Sequence, residues 1–132
     1  MSGLKLVLRF ADGRVMKGTT NNFGSNIFHL VPHDNGPADK AIPIDLTDLK
    51  AAFYVRDFDG NPGYAERKEF TADDHPHGRK VEITFNDGEV LAGAILDDNP
   101  SQPGFFLMPV DPNSNNQRIY VVRQHIAAIS TL

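Results

Sequence analysis

The chain has 132 residues, of which 40% are hydrophobic and 23% charged. These are the proportions of a folded globular protein and exclude a disordered or fibrous one. Thirteen Lys and Arg against seventeen Asp and Glu leave a formal charge of -4, which excludes the broad basic field of a default nucleic-acid or membrane-surface binder. Cysteine is absent, which removes disulfides, thiolate nucleophiles and Cys-ligated zinc together. Leu4 is followed at once by Lys5, and no long apolar run occurs, so the expectation is a cytoplasmic protein without a membrane partner.

From Lys5 to Phe10, Leu6, Leu8 and Phe10 alternate with Lys5, Val7 and Arg9, the two-residue period of a half-buried strand. Asp12-Gly13 follows and predicts a two-residue hairpin turn with Phe10 facing Val15, because such turns need positive φ. Gly18 then interrupts the second strand, where the missing Cβ allows a bend or a close backbone approach. Short strands are expected around Phe28–Val31, Ala41–Ile44 and Leu49–Val55, with one helical turn at Thr47-Asp48 as an alternative start to the last.

The same series then recurs. Lys5 to Gly18 aligns without a gap on Lys80 to Gly93, so that Phe85, Asp87-Gly88, Val90 and Gly93 repeat Phe10, Asp12-Gly13, Val15 and Gly18. Phe28 to Pro32 aligns on Phe105 to Pro109, Asp34 on Asp111, and Ile42-Pro43-Ile44 on Ile119-Tyr120-Val121. Each copy closes on an apolar run containing Ala-Ala, at Ala51-Ala52 and Ala127-Ala128. The predicted fold is therefore all-β, with two tandem five-stranded small barrels at residues 1–56 and 79–132. Residues 57–78 form a polar linker, and Tyr64 and Phe70 within it suggest that it lies against one barrel. Units of this size bury little core alone, so the copies are expected to pack together or self-associate.

Alternating apolar residues, Asp-Gly, an apolar strand and then Gly resemble the first signature of Sm-like proteins. That resemblance implies open five-stranded barrels that build rings and bind RNA. The passage Gly18 to Asn26 is similar to that family's entry into its Asn-bearing loop, but the Arg-Gly of its second signature is missing from both Ile42–Asp45 and Ile119–Val122. The whole chain also resembles a bacterial family of unknown function carrying this domain in tandem, on the runs Leu49 to Asn61 and Gly104 to Arg118.

The search for chemistry is short. Asp73, Asp74, His75 and His77 could ligate a divalent metal, but Pro76 between the histidines in a polar stretch supplies no convergence, so no metal or other cofactor is expected. Asp57 to Lys68 begins like a calcium loop and fails at Pro62 and Lys68. Ser25, Ser101 and Ser114 lack a nucleophile elbow, and no phosphate-cradling loop occurs. The reading is a non-catalytic binding or assembly module with a protein partner, and the alternative is single-stranded RNA binding. Candidate contact residues are Phe23 and Asn26 in the first copy and Asn115, Asn116 and Arg118 in the second, set in the polar run 113–118.

Overall fold

The computed structural model describes residues 3–24, 26–33, 40–97 and 99–132. The strands are β1 (Leu4–Phe10), β2 (Val15–Thr20), β3 (Ile27–Pro32), β4 (Ile42–Asp45), β5 (Leu49–Val55), β6 (Arg79–Phe85), β7 (Val90–Ile95), β8 (Gly104–Pro109), β9 (Asn116–Val122) and β10 (Ile126–Thr131). Single 3-10 turns at Leu46–Asp48 and Arg123–His125 lead into β5 and β10. Asp45 caps the first, its carboxylate accepting the Thr47 N–H. Asp34, aligned on Asp111, and Ser25, weighed as a nucleophile, lie outside the described residues. No helix among the described residues is long and apolar enough to cross a membrane.

All ten strands form one antiparallel sheet in the order β10-β6-β7-β8-β9-β5-β1-β2-β3-β4, and the sheet is not closed. Each half follows the same sequence of neighbours, 5-1-2-3-4 and 10-6-7-8-9. They join where β5 pairs with β9, through Ala51↔Val121, Ala52↔Tyr120, Phe53↔Ile119 and Tyr54↔Arg118.

The Asp-Gly turns differ from the two-residue form. Phe10 donates its N–H to the Arg14 carbonyl and accepts from Gly13, and Phe85 does the same with Glu89 and Gly88. Each loop is thus three residues long, ending on a glycine of positive φ (97° at Gly13, 92° at Gly88), so Arg9 faces Val15 and Thr84 faces Val90. Asp12 and Asp87 account for the longer loop: each carboxylate accepts the N–H two residues on, at 3.0 Å. The Ala-Ala pairs are also one residue out of step. Arg9 faces Ala51 whereas Thr84 faces Ala128, which makes Ala51 the counterpart of Ala128.

Two buried clusters fill the fold. Leu6, Leu8, Phe10, Phe28, Leu30 and Ile44 belong to one; Val81, Ile83, Phe85, Phe105, Leu107 and Ile119 belong to the other. β5 serves both, because alternate side chains of a strand point to opposite faces and a register shift at Lys50 returns Leu49 to the face of Ala52. Leu49, Ala52 and Tyr54 enter the first cluster, and Ala51, Phe53 and Val55 enter the second, so all seven residues of the strand are buried. β9 reciprocates by sending Val122 into the first.

An ionic contact reinforces the junction. Lys50, only 8% exposed, donates to Asp87 at 2.8 Å and to Glu89, and its ammonium lies 4.6 Å from the Phe85 ring centre. Burial opposes its charge, but the two carboxylates outweigh burial and raise its pKa. Residues 57–78 contain no strand. They are tied to the second half through Asp111, which accepts from the Tyr64 hydroxyl (2.6 Å), the Arg67 N–H (3.1 Å) and the Asn113 N–H (2.9 Å).

Candidate binding groove

Adjacent strands β8, β9 and β5 bring an aromatic set onto one face. Phe106 on β8 lies directly opposite Tyr120 on β9, their ring centres 5.1 Å apart at 74°. Two residues before Tyr120, Arg118 lies opposite Tyr54 on β5, and Tyr54 meets Phe106 edge-on at 5.5 Å. Phe23, from the segment between β2 and β3, completes the set with edge contacts to Phe28, Tyr54 and Tyr120 at 5.0, 5.7 and 5.4 Å. Such edge-to-face pairs satisfy the ring quadrupoles and fix the rings in place. Gly104 makes room for this arrangement, since a Cβ there would come within 2.7 Å of the Tyr120 ring.

The rings line a groove of about 650 Å³ together with Leu4, Leu96 and Met108, and with Asp97, Asn99 and Gln102 on its polar side. Arg118 forms one wall. Its guanidinium carbon sits 4.5 Å from the Tyr54 ring centre and 4.4 Å from that of Phe106. Among the described residues it has no carboxylate partner. Stacking holds the guanidinium plane while its N–H edge stays available to an acceptor. Burial raises the pKa of both Tyr54 and Tyr120, with the Arg118 charge opposing the rise at Tyr54 and that of Arg123 opposing it at Tyr120. Both phenols therefore stay neutral at physiological pH.

The structure brings Phe23 and Arg118 into this groove. Asn26 is exposed elsewhere, and its carbonyl accepts the Leu46 N–H. Asn115 holds the exit of β5, its side chain accepting the Asp57 N–H and donating to the Asp57 carbonyl, both at 3.0 Å. Asn116 donates its N–H to the buried Ser114 hydroxyl and pairs with Val55. Asp12, Gly13, Asp87 and Gly88 form the turns already described. Gly18 and Gly93 lie at close approaches, where an added Cβ would meet the Val31 carbonyl and the Met108 carbonyl respectively.

Tyr54, Phe106 and Tyr120 were not singled out by sequence, because in single strands they read as core, and Tyr54 is indeed a buried member of the first cluster against which the other two pack. Each flanks a core residue (Phe53, Phe105 and Ile119) and so points to the opposite face, which is the signal that could have found them. Among the described residues no three His, Asp or Glu side chains converge to hold a metal. His75 and His77 line an adjoining groove of about 540 Å³ between the connecting segment and β8–β9, which shares Leu96 and Met108 with the aromatic one.

Among the described residues the chain is all-β, with the aromatic groove lying where the two matching strand sets join. Residues 35–132 match the model of the family of unknown function DUF6982, and the chain belongs to that family. No curated protein and no solved structure shows a match to it.

Proposed function

We propose that the protein is a non-catalytic binding module that grips a peptide segment of a protein partner in the aromatic groove. The observation that carries this reading is the juxtaposition of Phe23, Tyr54, Phe106 and Tyr120 with an Arg118 that has no carboxylate partner among the described residues. Rigid aromatics supply contact area at small entropic cost, and Arg supplies a planar donor pair for a carboxylate. The ligand is therefore a segment with an apolar or aromatic side chain close to an acidic group. In the same reading each half is a small open barrel of the Sm-like or SH3-like kind in a bacterial cytoplasmic protein. Support for the barrels comes from the matching strand orders and the glycine-ended turns.

Single-stranded RNA is the second reading, favoured by rings on which a base could stack. Against it stands the charge of -4 and a groove with one Arg and one Asp in its lining, too little to neutralise several phosphates.

The test is selection of a displayed random-peptide library on the immobilised chain, run beside a titration with fluorescent single-stranded RNA pools at about 50 mM salt, where electrostatic binding is strongest. Enriched peptides that combine an acidic and an apolar residue, and that lose binding on Arg118→Ala and Phe106→Ala, support the reading. No enrichment, or peptides that bind both folded variants equally well, overturns it. Saturable RNA binding that weakens with salt replaces it with the second.

A further inference from the structure

The two outer strands of the sheet, β4 and β10, end it in different ways. The Leu46 N–H donates to the Asn26 carbonyl on the β3 side, so by strand alternation Ile44 and Ile42 also address β3, while Pro43 and Asp45 address the open edge. Pro43 has no N–H to give, and Asp45 is exposed and charged. Both are devices that block strand addition.

The other edge has neither. The Leu132 N–H donates to the Lys80 carbonyl, so Ser130 and Ala128 address β6, and Ile129 and Thr131 turn their N–H and C=O groups outward. Ile126 to Thr131 contains no charge, no Pro and no Gly. Its counterpart β5 uses the same edge to pair antiparallel with β9, and there Ala52 is fully buried. Ile129, in the equivalent position opposite Ile83 on β6, is 37% exposed.

We propose that β10 is a strand-pairing surface for a second copy of this chain, joined antiparallel about a two-fold axis at Ile129. A two-fold contact needs one self-complementary patch, which an uncharged edge provides. Pairing with the β4 edge of another copy would instead set Ile129 against Pro43, where Ala52 meets Tyr120 in the internal joint, and would put Asp45 where Val122 is buried. In the two-fold register Ile129 faces the partner's Ile129, and Thr131 faces the partner's Ala127, so the outward amides meet one another. The surface is independent of the aromatic groove.

The test is light scattering and sedimentation of the full chain from about 5 µM to about 1 mM, a span that reaches weak interfaces, with amide hydrogen exchange at both ends. The expected result is a monomer–dimer equilibrium with nothing larger, and with Ile129 and Thr131 amides gaining protection as dimer forms. Thr131→Pro, which removes one outward N–H at the strand's end, should weaken dimerisation at least about tenfold. Ile129→Lys provides a second disruption at the axis. A monomer throughout, growth beyond two copies, or a dimer that survives both folded variants overturns the proposal.

Discussion

Replacing Gly93 by alanine tests whether β7 and β8 approach as closely as the structure requires. A Cβ at Gly93 would lie 2.6 Å from both Leu107 Cγ and the Met108 carbonyl oxygen. Ordinary contacts of these kinds lie at about 3.3–4.0 Å, so the strands must separate by several tenths of an ångström or more. Leu107 is fully buried and cannot swing away, and among the described residues β7 and β8 pair through Gly93↔Pro109 and Ala94↔Met108 alone. Overpacking of this kind costs about 1–3 kcal/mol, offset by about 0.4–1 kcal/mol from the stiffer unfolded chain. The net loss is about 1–2 kcal/mol, read as a lower urea midpoint at unchanged slope. Gly18→Ala should behave alike, since its Cβ would run into the Val31 carbonyl and would lie 2.7 Å from Leu30 Cγ. Gly63 has nothing within 4 Å of its would-be Cβ and no positive φ, so Gly63→Ala should stabilise by about 0.4–1 kcal/mol. If Gly93→Ala leaves the midpoint unchanged or raises it as Gly63→Ala should, the close approach is not real.

Lys50→Met removes the cation bound by Asp87 and Glu89, whose side chains are 54% and 34% exposed and can return to water. The expected loss at pH 7 is therefore about 1–2 kcal/mol, not the 3–5 of a fully buried pair. Lys50 has a raised pKa and Asp87 a lowered one. The difference between wild type and variant should then hold from above the usual carboxylate range to below the usual lysine range, and shrink beyond either end. Urea melts at acid, neutral and alkaline pH measure it, and equal stability at pH 7 would refute the contact. Asp111→Asn replaces a carboxylate that the Tyr64 hydroxyl, the Asn113 N–H and the Arg67 N–H together hold below its ordinary pKa. Trypsin at neutral pH should then cut after Arg67 and Lys68 faster in the variant; identical rates would show that Asp111 does not tether this segment.

Strand positions were legible in the sequence because the two-residue period from Leu6 to Phe10 and from Val81 to Phe85 needs no knowledge of partners. The turns were located but given the wrong length. Asp-Gly allows both forms, and what selects the longer is the N–H two residues on reaching back to Asp12 or Asp87, a contact that sequence alone does not rank. The β5–β9 joint was hidden for a different reason. Nothing in Leu49–Val55 distinguishes a strand buried on both faces by two cores from one buried by its own, and that choice rests on long-range pairing. Of the candidate contacts, Phe23 and Arg118 meet in the groove, whereas Asn115 spends its side chain on Asp57. A polar loop residue reads alike whether it binds a ligand or caps its own chain.

With its two faces feeding separate clusters, β5 also sets the unit of heredity for this protein. Cleaving the gene anywhere in 57–78 would give the upstream product a strand with Ala51, Phe53 and Val55 bared, and the downstream one a β9 with Val122 bared. Each fragment would carry an apolar seam fitting the other, so co-expressed pieces should find one another and rebuild the whole, while either alone should aggregate. Selection on any one of those four positions consequently acts on both halves at once, and the halves are bound to evolve as partners.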